Sequence, residues 1–416
     1  MMASLALHRC GLLACLLSAV VAPATASAWA CASQPADASE LEALLRSHPD
    51  IAPLVDRASD YRLQVLLAEW ATEPDGAPCL RYHAYRVAAE YSYPAGAVIP
   101  FVAAAAMQQL QEAGGAYGLN DALFADDYRH EREDGTAVTV ARAWESTLDR
   151  EIRRLSVLSM AQAFNRIYDL VGHAELNQRA WAAGYGSVRL PQRMDEELTP
   201  DDNRWSPTVR VGSMETPLVF FPQRRSRVDV PAPVLANPAV GAAWLAADGE
   251  TIVPGPMSFS GRNHVSLPEL MGILFEFTFP DELAVAGYTL TDTSRTFLAT
   301  LFSLMPADAG IADTDTSDPT LYPVARHKPM MPGIQRILGD AATVQYTSQV
   351  GRGFGFTTEA AVVQLEGVGR FAVAATLYTN EDGIVNDDRY EYGTIADPFL
   401  ADLGEVLARR FLVASE

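Results

Sequence analysis

The chain has 416 residues, a formal net charge of −21 and a hydrophobic fraction of 49%. That length and apolar content suffice for one large two-lobed domain, or two ordinary ones, around a substantial core. The negative field excludes nucleic acid as a partner, because no basic cluster interleaved with aromatics offsets it, and it disfavours an anionic membrane surface.

Residues 1–30 combine Arg9, an apolar run from Gly11 to Val21, and small-residue cleavage candidates at Ala26-Ser27-Ala28 and Ala28-Trp29-Ala30. This is the pattern of a secretory signal peptide, so the mature protein is expected in the periplasm or outside the cell. No later stretch reaches eighteen uncharged apolar residues, and no transmembrane segment is expected. Cys31 follows one cleavage candidate, which leaves lipid attachment open, although Trp29 fits a lipobox poorly. Cys10 and Cys15 lie in the leader. Cys31 and Cys79 either form one disulfide in an oxidising compartment or remain free thiols.

Leucines at 41, 44 and 45 predict a helix from Ser39 to about Asp56. Strand-like runs at Tyr61–Trp70 and Leu80–Val87 flank a Pro-Asp-Gly turn, which predicts an antiparallel hairpin. The alanine-rich stretch Ala97–Glu112, closed by Gly114-Gly115, predicts a buried central helix. Further helices are expected between residues 139 and 184, including Leu155–Val171 and Ala174–Ala183. Residues 185–262 read as extended connections. Ser266 and Glu269 make a capping box, with Pro268 in the first turn, for a helix reaching about Phe277. Another helix is expected at Thr291–Leu304, then an acidic loop at 307–318.

Strands are predicted at Ala342–Ser348, Thr357–Leu365 and Arg370–Thr379, and an amphipathic helix at Pro398–Val413 closes the chain. The order gives an α/β (α+β) fold: an antiparallel sheet lobe flanked by helices and built from both chain ends (about 38–96 and 340–416), with an all-helical lobe (about 97–220) between them. A connecting and additional helical region spans about 221–339.

The segment from Glu90 to Glu112 contains YSYPAGAVIPFVAAAAMQQLQE. It resembles the nucleophile segment of the penicillin-recognising, β-lactamase-like serine hydrolases, where a Tyr-Pro-Ala-Ser-Thr-x-Lys-type sequence opens the central helix. Gly96 stands at the serine and Ile99 at the lysine three residues on. The family's Ser-Asp-Asn motif aligns with Ser159-Met160-Ala161, and its Lys-Thr-Gly motif with Gln349-Val350-Gly351. The tail LYTNEDGIVNDDRYEYGTIADPFLADLG is similar to the closing strand, loop and helix of one subgroup. The resemblance covers about Asp60 to Leu412 and implies a β-lactamase/transpeptidase fold.

Family chemistry uses a serine, a lysine that activates it and a second lysine beside the substrate carboxylate. This chain has a single lysine, Lys328, with Ala325 three residues before it, so no Ser-x-x-Lys exists anywhere. The resemblance therefore implies a degenerate homologue, with Gly96, Ile99, Ser159, Ala161, Gln349 and Gly351 at the motif positions. The favoured expectation is a non-catalytic binding or regulatory role in the cell envelope, through a cleft near Gly96, Ser159, Gln349, Gly351 and Arg352. Its partner would be a peptidoglycan-derived peptide or an envelope protein. The competing expectations are a hydrolase using noncanonical residues and a structural envelope protein without a ligand.

No cofactor or metal is called for, since His83, His173, His264 and His327 are dispersed without a HExxH arrangement. The run Asn380–Asp388 lacks EF-hand spacing and reads as a solvated turn. Gly351, Gly353 and Gly355 lie between strands, not before a helix, and make no phosphate loop. Asp126-Asp127 and Glu196-Glu197 read as surface charge, and Arg352 as an exposed sheet-edge arginine.

Overall fold

The computed structural model describes residues 30–31, 38–215, 217–235, 237–280, 287–311, 314, 316–340 and 342–413. The expected leader, with Cys10 and Cys15, lies outside these residues. Where one N-terminal helix was expected there are two, α1 (Ala38–Arg46) and α2 (Ala52–Asp56). Pro49 disfavours helical backbone at the residue before it, and the chain re-enters helix with Pro53 in the first turn, where a missing N–H costs nothing.

Strands β1 (Gln64–Thr72) and β2 (Pro78–Tyr85) form the expected hairpin, with Trp70 opposite Leu80. Helix α3 (Ile99–Glu112) follows a single tight turn, Ala95–Val98, and is buried from Ile99 through Met107. Then come α4 (Leu148–Leu158), α5 (Ala161–Val171), α6 (His173–Ala182), α7 (Leu267–Thr278), α8 (Asp292–Ser303) and α9 (Met331–Leu338). Strands β3 (Gln345–Gly353), β4 (Phe356–Leu365) and β5 (Gly369–Tyr378) precede the closing α10 (Asp397–Phe411). The helical lobe also carries short strands, among them Ala122–Ala125, Trp144–Thr147, Val209–Val211 and Val219–Phe221 in one small sheet.

The main sheet is antiparallel in the order β3-β4-β5-β1-β2, so both chain ends contribute to it. Both faces are covered. Leu66, Ala68, Ala360, Val362, Ala372 and Ala374 face α3 and the helical lobe, whereas Val65, Leu67, Ala361, Val363, Val373 and Ala375 pack with residues of α1, α9 and α10. The alternation is the period-two consequence of strand geometry.

β3 continues five residues beyond its expected end, through Gly353, and turns into β4 through Phe354 and Gly355. Their φ values of 54° and 84° suit a two-residue hairpin loop of the kind that needs positive φ at both positions. At the other end of the chain, Cys31 and Cys79 form a disulfide, Cα–Cα 5.1 Å, and Cys31 N donates to Leu80 O at 3.0 Å. Closing a separation of 48 residues stabilises the fold by about 4 kcal/mol in the chain-entropy account.

Candidate ligand-binding cleft

Three short segments meet at one end of α3. The first is the turn entering it. Ala95 is 5% exposed with φ 44°, a strained backbone for a residue with a side chain, and strain of that kind concentrates at functional sites. The second is the break between α4 and α5. One continuous helix was expected over Leu155–Val171, but Ser159 takes the left-handed conformation (φ 52°) and Met160 is extended, so the chain turns there and Ser159 is presented at the corner.

The third segment is the far end of β3. Gln349 Nε2 donates to Ser159 Oγ at 2.9 Å, to Gly96 O at 3.2 Å and to Val350 O at 2.9 Å, so one amide group touches the other two segments. Gly351 makes the approach possible. A Cβ there would lie 2.0 Å from Pro94 O and 2.4 Å from Ala97 N, hence strand and turn meet backbone to backbone.

These segments floor a cleft of about 460 Å³. Gly96, Ser159, Ala161, Gly351 and Arg352 line it. Gln349 is 2% exposed and braces the floor from beneath. Ile99 is fully buried, and its Cδ1 sits 3.4 Å from where a Cβ on Gly96 would be. The two positions therefore share a helix face at the expected i, i+3 spacing, but one has no side chain and the other is a hydrocarbon.

Arg352 differs from its expected exposed position. It is only partly exposed, paired with Asp397, and donates to Ala325 O at 2.9 Å. Burial raises the Asp397 carboxyl, against the pull of Arg352.

The opposite wall and rim come from Tyr93, three residues before Gly96 in the motif segment, and from Asp195, Tyr322, Arg326, His327 and Phe354, none of which stands at an aligned motif position. Asp195 has φ 52°, and burial raises its carboxyl. His327 is held down to about 4 by burial and by the neighbouring cations Arg326, Lys328 and Arg352, so it is neutral at pH 7. Lys328 is not among the cleft-lining residues. It is 4% exposed, with Nζ donating to Phe302 O at 2.5 Å and Ser348 Oγ at 3.1 Å, and burial brings it down to about 8.

Asp126, Asp127 and Glu196 have structural partners, and Glu197 is exposed. Asp126 pairs with Arg210, Asp127 accepts the backbone N–H groups of Arg142 and Ala143, and Glu196 takes Arg142 at 2.6 Å and Asn165 at 2.7 Å. Asp382 and Asp387 accept the N–H groups of Ile384 and Arg389, as in ordinary turns. Among the described residues, two groups have metal-ligand proximity. One contains the disulfide-bonded Cys31 and Cys79 with Glu73. In the other, His48-Asp402-Glu405, Arg336 pairs with both carboxylates.

No family model matches the chain, and no curated protein matches it. Solved structures similar to it include the β-lactamase from Sphaerobacter thermophilus DSM 20745, at 12% identity over 90% of this chain and 97% of that one, TM-score 0.46. A β-lactamase from Burkholderia ambifaria is similar at 12% identity over 91% and 100%, TM-score 0.46. A variant of the last common ancestor of Gram-negative class A β-lactamases is similar at 14% identity over 90% and 99%, TM-score 0.47. The chain is similar to β-lactamases. At this identity and with TM-scores below 0.5 the likeness carries nothing about activity.

Proposed function

We propose that this chain is an exported, non-acylating relative of the β-lactamase-like serine hydrolases, whose cleft holds a cell-wall-derived peptide without turning it over. The observation that carries this reading is Gly96 at the cleft floor. The residue aligned with the family's nucleophile has no side chain, and its i+3 neighbour, where the activating lysine would stand, is the buried Ile99. Loss of a nucleophile costs several orders of magnitude in rate, and loss of its coupled base adds little more.

The cavity persists although the reactive groups are missing. About 460 Å³ lies within the range of small-ligand sites, and its aromatic and methionine walls with a few polar groups suit an extended peptide. Arg326 lines the cleft and brings positive charge to it where the aligned lysine is replaced by Gln349, whereas the charge of Arg352 is matched by Asp397. Export is supported by the leader pattern and by the Cys31–Cys79 disulfide, which belongs to an oxidising compartment.

Ser159 favours a second reading, an esterase or amidase with a displaced nucleophile, because its hydroxyl lines the cleft in a strained conformation. Its Oγ accepts from Gln349, and among the described residues no base is hydrogen-bonded to it.

Titration calorimetry with diacetyl-L-Lys-D-Ala-D-Ala tests the binding claim. Saturable binding at a Kd of about 10 μM to 1 mM, abolished by Ser159→Tyr, is expected. Failure of this peptide and of soluble muropeptides to bind would overturn it.

A further inference from the structure

A second cavity, of about 430 Å³, shares no lining residue with the cleft. It lies between the segment following β2, the N-terminus of α7 and the proline-rich stretch around Pro233–Leu235. Its apolar lining includes Val87, Leu235, Val265 and Leu267, the last two at 3% and 5% exposure. Branched aliphatic walls of that size take a branched aliphatic body of comparable volume.

Two polar side chains of these walls are incompletely matched. Arg189 lines the pocket and has no carboxylate partner among the described residues. Its Nε donates to Pro231 O at 2.9 Å and its Nη1 to Gly186 O at 2.7 Å and Val188 O at 2.8 Å, all neutral acceptors. The guanidinium also lies over the Trp181 ring at 5.6 Å, and an arginine that forms no ion pair beside an apolar cavity attracts an anion that can take its planar donors.

His264 also lines the pocket at 4% exposure, and its Nδ1 has no hydrogen-bond partner. Burial holds this imidazole down to about 4, so it is neutral and offers one nitrogen as an acceptor. A buried acceptor left unpaired is costly, and a donor on a bound molecule would satisfy it.

The two nearby carboxylates do not cancel Arg189. Glu90 accepts from Arg86 at 2.7 Å. Glu269 accepts the N–H of Ser187 at 2.9 and 3.0 Å and the Ser187 hydroxyl at 2.5 Å, so its oxygens are engaged there and it acts on Arg189 through its field without forming an ion pair with it.

We propose that this pocket is a second binding site, for a small carboxylic acid with a branched apolar body and one hydrogen-bond donor. That is the chemistry of an N-acylated leucine- or valine-type amino acid. The carboxylate pairs with Arg189, the His264 ring turns its covered Nδ1 to meet the donor, and the aliphatic body fills the space between Val87, Leu235 and Leu267.

N-acetyl-L-leucine is the probe, titrated into the purified protein by calorimetry. One-site binding is expected, at least tenfold weaker for N-acetyl-L-leucinamide, which lacks the charge. Arg189→Met should weaken binding tenfold or more, while Arg189→Lys, which keeps the charge and loses the planar fork, should weaken it less than Arg189→Met does, which separates the share of the charge from that of the fork. Val234→Trp, at a fully exposed position on the rim, should block entry without touching the core.

Ser159→Tyr, which fills the cleft, should leave N-acetylleucine binding unchanged, so this site and the cleft fail or succeed separately. Absence of saturable binding, or binding indifferent to both Arg189→Met and Val234→Trp, would overturn the proposal.

Discussion

Gln349 Nε2 lies 2.9 Å from Ser159 Oγ and joins residues 190 positions apart across the cleft floor. The same amide also lies within hydrogen-bond distance of Gly96 O and Val350 O, so its two hydrogens are shared among three acceptors at the cleft floor. Gln349→Leu keeps the volume and strands those acceptors. Stability should fall by about 2 kcal/mol, read by urea denaturation, and ligand binding at the cleft should fall with it.

Two glycines of the floor should respond unequally to a methyl group. At Gly351 a Cβ would sit 2.0 Å from a backbone oxygen that cannot move aside, so Gly351→Ala should cost about 3 kcal/mol. At Gly96 the nearest atom is 3.3 Å away and φ lies outside the left-handed region, so Gly96→Ala should cost less than about 1 kcal/mol. Equal losses in thermal or chemical denaturation would contradict this backbone-to-backbone description.

Restoring the two missing groups should not restore chemistry. Gly96→Ser with Ile99→Lys puts an ammonium at a fully buried apolar position, where desolvation favours the neutral amine, and Gln349 still supplies no charge. Nitrocefin turnover by the double variant should stay within tenfold of background. Robust hydrolysis would mean that the third motif matters less than the geometry suggests.

His327 gives a pH signature. Its folded pKa, about 4, is below the unfolded value near 6.5, so the folded state binds fewer protons in that window. Its contribution is fully present above pH 6.5 and is lost as the pH falls toward 4. His327→Gln should therefore lose less stability than the wild type between pH 7 and 4.5, by about 2 kcal/mol, in paired urea titrations. Parallel pH profiles would contradict a buried neutral imidazole.

Much of the architecture was legible because it follows local chemistry. The Pro-Asp-Gly turn placed the β1–β2 hairpin, the alanine run placed α3, and the two carboxyl-terminal strands read correctly from β-branched residues. The Ser266 cap was legible too, although the Glu269 carboxylate turns to Ser187 instead of closing the capping box.

The misses have physical causes. Gln349–Gly353 carries few strand formers, and it stays in the sheet because β4 pairs with it. No glycine or proline marks the break at Ser159, where tertiary contact with Gln349 holds a left-handed serine. Aligning three motif segments pointed to residues that the fold brings together, whereas Asp195, Tyr322 and His327 come from connections whose meeting is decided only by long-range packing.

The central claim, that this cleft binds without acylation, is tested most directly by intact-mass spectrometry of the purified protein after exposure to a fluorophosphonate and a panel of β-lactams, beside an active class A β-lactamase. The expected result is an unchanged mass while the control is fully labelled. A stoichiometric adduct mapped to a serine, Ser159 above all, would contradict the account and identify a working nucleophile.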